Sequence, residues 1–443
     1  MRPPAFQVLN ALKTTRRPDV KSFLTLQPVE TVMGHIRAFP VLYTERVPLD
    51  AASGRRLAED FTAPTDLPGF DRATVDGYAV RARDIFGAQE GNPALVECVG
   101  DCPMGEVPSV MLHDGQTARI LTGGMLPQGA DCAVMVEYSR SAGGNLVELT
   151  RSQAPGDNVV LRDDDAAAGA RLLAAGRRLR PQDIGLLAAF GQTDVAVRHS
   201  PRVAIVSTGD EVVPIEETPP PGKVRDVNAH SIAALCCEAG AQAVRAGLVL
   251  DDAGELETCL TRLADEYDVV VVSGGSSAGM RDHTVEVFTA VPGGEILTHG
   301  VALSPGKPFI LGRAAAAGRT VCLMGLPGHT ASALICARVF LLPLLHHLQG
   351  QTEPEIAPCV PARLTRSIAS AQGRRDYLRV RLTPLAHTAL SGADALCPLY
   401  EADPIMGTSS IITGMTAADG LLVCPENREG FNAGDMVMVE LFQ

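Results

Sequence analysis

The chain has 443 residues, 46% of them hydrophobic and 20% charged, with a formal net charge of −13. That length exceeds one ordinary domain and predicts roughly two to four of them, and the composition excludes a disordered or fibrous chain. The acidic balance argues against a nucleic-acid backbone or an anionic membrane as the main partner, although local arginines and lysines can make a single cleft attractive to a small anion.

The N-terminal "MRPPAFQVLNALKTTRRPDV" is basic but has no contiguous apolar core and no small-residue cleavage site. It reads as a loose extension over residues 1–22 rather than a signal peptide. From Phe23 to Arg56 the pattern is helical, with Val29, Val32, Met33 and Ile36 on one face of "PVETVMGHIRAF". Residues 62–163 change character: "GYAV", "ALVECVG", "ARILTG", "CAVMVEY" and "LVEL" are short β-prone pieces separated by Gly- and Pro-rich turns. They predict an inserted β domain. After it "ARLLAAGRRLRPQDIGLLAAFG" returns to helix, so residues 23–61 and 164–199 form one split helical and mixed linker domain.

Residues 200–349 give the clearest pattern. Strands "RVAIVSTG", "QAVRAGLVL", "DVVVVSGG" and "RTVCLMGLPG" alternate with helices "NAHSIAALCCEAGA", "GELETCLTRLADEY" and "ASALICARVFLLPLLHHL". Such alternation predicts an open, mostly parallel α/β sheet with helices on both faces. The last helix contains the best candidate for a membrane span, but Arg338 and Pro343 interrupt it. Residues 350–443 are again β-like and predict a small separate C-terminal β-barrel. The 11 cysteines include no CxxC pair, and adjacent Cys236 and Cys237 cannot pair without strain, which fits reduced cytoplasmic thiols.

Ligands of open α/β sheets sit beyond the carboxyl ends of the strands, so the loops "STGDEV", "SGGSSAG" and "GLPGHT" should converge on one cleft. They bring Asp210 and Glu211, then Ser273, Gly274, Gly275, Ser276, Ser277, Arg281 and Asp282. Asp226, Asn228, Asp251 and Asp252 follow other strands, where capping the next helix is the alternative reading. "LSPGKP" adds Ser304, Pro305 and Lys307. In the β domain, Asp71 and Asp76 are candidate turn builders, Thr122 ends a strand, and Asp157, Asp163, Asp164 and Asp165 form either a solvated loop or a hard-cation site. There is no Walker pattern, no GxGxxG and no Ser-His-Asp signature. What remains is a carboxylate-rich cleft with glycine loops, suited to chemistry at a phosphate assisted by Mg²⁺.

Taken in order, "LPGFDRATVDGYAV", "ILTGGMLPQGADCAVMVE", "VAIVSTGDEVV", "VVVSGGSSAGMRDHT", "LSPGKPF", "GLPGHTASA" and "ADGLLVCPE" resemble the molybdopterin molybdenumtransferase family, which includes the gephyrin E domain. The resemblance runs from about Phe23 to the C-terminus. It implies an elongated four-domain subunit, α/β plus β, that dimerises with a cleft shared between subunits. It also implies insertion of molybdate into adenylylated molybdopterin with Mg²⁺-dependent release of AMP. By matching motif, Asp76, Thr122, Asp165, Glu211, Asp251 and Asp282 fall on catalytic positions, with Glu211, Asp251 and Asp282 toward the metal. Asn228, Ser273, Gly274, Gly275, Ser277, Ser304, Pro305, Lys307 and Pro327 fall on substrate positions, and Arg374 and Ser409 on positions associated with molybdate or substrate.

Three departures stand out. Ser304 replaces the lysine of "KPGKP", His329-Thr330 replaces Asn-Pro in "GLPGNP", and Asn158 with "DDD" replaces "GxDI". The first two favour a second reading, a non-catalytic molybdopterin-binding scaffold or carrier; a tungstate-inserting paralogue is a further alternative. The retained acids favour the enzyme. A molybdopterin adenylyltransferase fits less well, because that activity usually belongs to an α/β domain alone.

Overall fold

The computed structural model describes residues 25–274, 278–352, 357–385 and 400–442, and within 278–282 the backbone only. Its contacts divide the chain into two units: Thr44–Val197, and the described residues up to Tyr43 together with those from Arg198 onward.

In Thr44–Val197 a six-stranded sheet runs in the order Cys132–Met135, Gly77–Val80, Gln116–Ile120, Ala94–Cys102, Leu146–Leu149, Ser139–Gly143. Alternation along "GYAV" sends Tyr78 and Val80 into one apolar cluster and Ala79 into another, so this strand is covered on both faces. Residues on either side of the sheet in sequence meet each other: Thr44–Pro48 pairs with Asp194–Arg198, and Phe61–Thr62 with Arg171–Leu173. Leu57, Leu173, Leu179, Leu187 and Val197 close a small core between them.

Helix in these flanks is shorter than the periodicity predicts. Among the described residues of 25–56 only Val29–Arg37 is α-helical, because Pro40 and Pro48 bracket a segment that goes extended at Thr44–Pro48. Of the returning segment only Pro181–Ala189 is helical. Gly176, at φ +80°, makes the turn before it, and Pro181 starts the helix with its φ already set. Asp183 accepts from the Arg180 N–H at 2.9 Å and completes that terminus.

The second unit holds a six-stranded sheet in the order Gln242–Val249, Arg202–Thr208, Val269–Ser273, Arg319–Leu326, Ile310–Ala316, Glu295–His299. The first four strands are mutually parallel, and the last two join antiparallel at one edge. The sheet is therefore mixed. Helices Asn228–Glu238 and Ala253–Glu266 lie on opposite faces, as their membership of separate cores shows: Ile232 and Cys236 in one, Leu256, Leu260 and Leu263 in the other. All of Val269 to Val272 are buried, two per face, which is why this strand is an uninterrupted valine run rather than an alternating one.

The helix Thr330–Leu348 is 19 residues long and apolar enough to span a bilayer by length and composition, but Ala333, Cys336, Phe340, Leu341, Leu344 and Leu345 pack into the core. Pro343 is tolerated because the turn before it, Ala337–Leu341, widens to a π-helix. Phe340 packs against Phe309, the rings tilted by 30° with 4.4 Å between centroids.

Past this helix, Arg375–Pro384, Tyr400–Pro404, Cys359–Leu364, Met436–Leu441 and Gly420–Cys424 pair in that order, and the last pairs back with the first, closing a five-stranded barrel. The short strand Leu303–Ser304 adds to its edge. Replacing Phe340 with alanine should destabilise this unit by about 3–5 kcal/mol through the cavity left beside Phe309. Thermal unfolding followed by near-UV and far-UV circular dichroism checks this; an unchanged midpoint contradicts the packing described.

Candidate functional site

Parallel pairing in register sets the floor of the site. Ser207 lies opposite Ser273, and Ser273 opposite Leu326, so three strands end at one level. Beyond them opens a cleft of about 420 Å³ lined by Ser207, Thr208, Glu211, Arg225, Asp226, Asn228, Ser273, Gly274, Gly328, His329, Thr330 and, from the barrel, Ser410 and Ile412. Gly274 is required by close approach: its φ is +145°, and a Cβ there would come within 2.1 Å of the Thr208 carbonyl oxygen.

Asn228 ties the loops together. Its Nδ2 donates to Ser273 Oγ and to the Gly328 carbonyl, each at 2.9 Å. Its Oδ1 is buried with no partner, as is Ser207 Oγ. The floor thus presents an unfilled acceptor and an unfilled hydroxyl, groups a ligand must satisfy. Asp226, not Asn228, caps the helix that follows, accepting from the Ala229 N–H at 3.1 Å.

Acidic residues gather at the same strand ends. Thr208 Oγ1 donates to Asp251 Oδ1 at 3.2 Å, and the Asp251 N–H donates to Asp210 Oδ1 at 3.2 Å. Asp252 is the helix cap, accepting from Glu255 N–H at 2.8 Å, whereas Asp251 takes the Thr208 hydroxyl. Among the described residues no three acidic, histidine or cysteine side chains converge as a ready-made metal cage. The donors that are present, Glu211 and Asp251, are hard oxygens from adjacent loops, which fits a magnesium ion held by one or two carboxylates and completed by substrate phosphates. Asp282 falls in the helix Ala278–Ala290, but its side chain, like Gly275 and Ser277, lies outside the described residues.

The remaining predicted residues fall into separate groups. Pro327 lines a void of about 10 Å³ beside Gly274, enough for one water. Ser304 lies abreast of Asp376, whose carboxylate pairs with Arg374 at 2.9 Å and accepts from Ser370 Oγ at 2.7 Å. Ser304 and Arg374 thus both stand by Asp376 at the barrel edge; Pro305 and the exposed Lys307 follow in sequence, the Lys307 carbonyl accepting from Val301 N–H at 3.0 Å. Ser409 is instead at the cleft rim, 2.9 Å from His329 Nδ1.

In the other unit, Asp76 and Thr122 come together: the Asp76 carboxylate accepts from the Thr122 N–H at 2.7 Å and from its hydroxyl at 2.9 Å. Gly77 follows because a Cβ there would come within 1.9 Å of the Val134 carbonyl oxygen. Asp165 is exposed on another loop, its N–H on the Leu67 carbonyl at 3.0 Å. The sequence reading singled out neither Ser207 nor Thr208; their place at the end of a buried strand was the signal available.

These features define the class: a multi-domain protein with a ligand-binding mixed α/β sheet and a closed five-stranded barrel. Family models described as "MoeA N-terminal region (domain I and II)", "Probable molybdopterin binding domain" and "MoeA C-terminal region (domain IV)" match residues 27–191, 204–347 and 361–442. The chain belongs to the molybdopterin molybdenumtransferase family. It is 33% identical over 401 residues to molybdopterin molybdenumtransferase 2 of Mycobacterium tuberculosis, covering 89% of this chain and 94% of that one. It is 32% identical to the molybdopterin molybdenumtransferase of a Nostoc species, covering 89% and 88%. A solved molybdopterin biosynthesis moeA protein from Pyrococcus horikoshii superposes with a TM-score of 0.77 at 28% identity, covering 94% of this chain and all of that one.

The two Thr122 hydrogen bonds, the backbone one first, hold the Asp76 carboxyl below its ordinary value. A lowered folded value means that any stability this group contributes is present above the unfolded value of 3.8 and is lost as pH falls through the folded one. Thr122→Ala removes only the hydroxyl bond, so the Asp76 titration should move up yet stay below 3.8. Carboxylate NMR titration reads this, and an unmoved midpoint contradicts the pairing.

Proposed function

We propose that this protein inserts molybdate into adenylylated molybdopterin and releases AMP, acting as a cytoplasmic homodimer with a cleft completed across the subunits. The single observation that supports this most is the cleft floor. Unfilled polar groups of Ser207 and Asn228 and a close-approach Gly274 stand beside carboxylates, a combination that a phosphorylated heterocycle with donors and acceptors satisfies. The described cysteines are all free thiols, in keeping with a reducing compartment.

In this reading the Ser273 hydroxyl binds the pterin-side phosphate, and Asn228 keeps the Ser273 and Gly328 loops at fixed spacing. Glu211, Asp251 and Asp282 would hold magnesium, which when bound neutralises phosphate charge beside these acids. Thr208 orients Asp251 through its hydroxyl. Asp76, its ionised form favoured by the Thr122 hydrogen bonds, and Asp165 on another loop of the same unit take the catalytic positions that the family resemblance assigns. Ser304, Pro305, Lys307 and Arg374, together with Ser409 at the cleft rim, are assigned to the oxyanion, and the Arg374 fork can exchange its Asp376 partner for molybdate.

The test supplies adenylylated molybdopterin, Mg²⁺ and molybdate, and follows AMP and cofactor formation. Wild type should release AMP in step with cofactor, and Asp251→Asn should lower turnover about 100-fold or more with the fold retained. Pterin binding without AMP release would identify a scaffold or carrier instead.

A further inference from the structure

The barrel reaches the cleft through one loop. Its base is held by Arg379, whose Nη2 donates to the Gly407 carbonyl at 3.0 Å. Its middle is held by the α/β part: the Ala331 N–H, in the first turn of the helix Thr330–Leu348, donates to the Ser409 carbonyl at 3.0 Å. One of the free N–H groups of that helix start is therefore already used inside the protein. Beside it, His329 at the N-cap lines the cleft and places Nδ1 2.9 Å from Ser409 Oγ. Neighbouring Thr408 and Ser410 bond each other through their hydroxyls at 2.8 Å, so Ser409 has His329 as its side-chain partner.

We propose that His329 is a positioning residue for the oxyanion substrate, switching the Ser409 hydroxyl between two hydrogen-bonding duties. When the imidazole is neutral with its proton on Nε2, Nδ1 accepts the Ser409 proton and the hydroxyl is committed to the protein. When the imidazole is protonated, Nδ1–H donates to Ser409 Oγ. The hydroxyl proton is then free for an anion in the cleft, and a positive charge stands beside it. Other charged groups lining this cleft are Glu211, Arg225 and Asp226, and Arg225 Nε already donates to the Ile215 and Glu217 carbonyls. On the barrel side the charged neighbour is Arg379 under Gly407, and the helix itself carries no charge before Arg338. His329 is thus the histidine at this rim, and its imidazole faces Ser409.

This assignment rests on the proposed oxyanion substrate, and the experiment separates the two. Molybdate binding to the full-length protein is measured by calorimetry from about pH 6 to 8.5, spanning the ordinary histidine range. Binding of adenylylated molybdopterin and AMP release are measured on the same samples. Wild type should bind molybdate about tenfold more tightly at the acid end, the size expected for one charge-assisted contact. His329→Gln, which can bond Ser409 but cannot carry charge, should lose that slope and serves as the control for protonation of molybdate itself. Ser409→Ala should also lose the slope, and the double variant should be no weaker than the weaker single. A His329→Gln slope equal to wild type, or single effects that multiply in the double variant, overturns the assignment while pterin binding and AMP release continue. Loss of pterin binding and AMP release in wild type overturns the function and this assignment together.

Discussion

The site depends on one constraint: three adjacent parallel strands end in register. Ser207, Ser273 and Leu326 are brought level by backbone pairing, and everything chemical is hung from that edge. The strands hold register because Val203 to Val206 and Val269 to Val272 are buried on both faces, between helices that cannot slide without exposing them. A one-residue slip would turn both serine hydroxyls away from the position they share.

From that edge the loops diverge, and Asn228 gathers them again. Its amide joins the end of the valine strand to the turn before the helix Thr330–Leu348, whose own start meets the barrel loop through Ala331 and His329. The cleft is therefore bounded by α/β loops on one side and a barrel loop on the other. The acids Asp210, Glu211 and Asp251 stand on the α/β side, with Asp251 accepting from the Thr208 hydroxyl and donating its N–H to Asp210.

Much of this was legible in the sequence, for physical reasons. The valine run, the βα spacing and the glycines announce a buried parallel edge with ligand loops, and Asp251-Asp252 offers strand-end acids with helix capping as the alternative, without saying which residue caps. The N-cap bond to Glu255 decides that. Less legible were the antiparallel edge strands, since "EILTH" is short and polar and "ILGRAAA" is as alanine-rich as a helix. The strand Tyr400–Pro404 was hidden by its acidic "YEADP", and the helical stripe was extended past prolines that end it. His329 and Ser409 are 80 positions apart, and no local pattern joins them. Their meeting is a product of tertiary closure alone.

Asn228 is the most direct place to test the account, because it should act on ligand binding through geometry and an unfilled acceptor rather than through stability. The affinity of Asn228→Ala for adenylylated molybdopterin, measured by calorimetry beside its thermal midpoint, decides the matter. The account predicts binding weakened about tenfold or more, one to two lost hydrogen bonds, in a protein that unfolds close to the wild-type temperature. Wild-type affinity in this variant would contradict it.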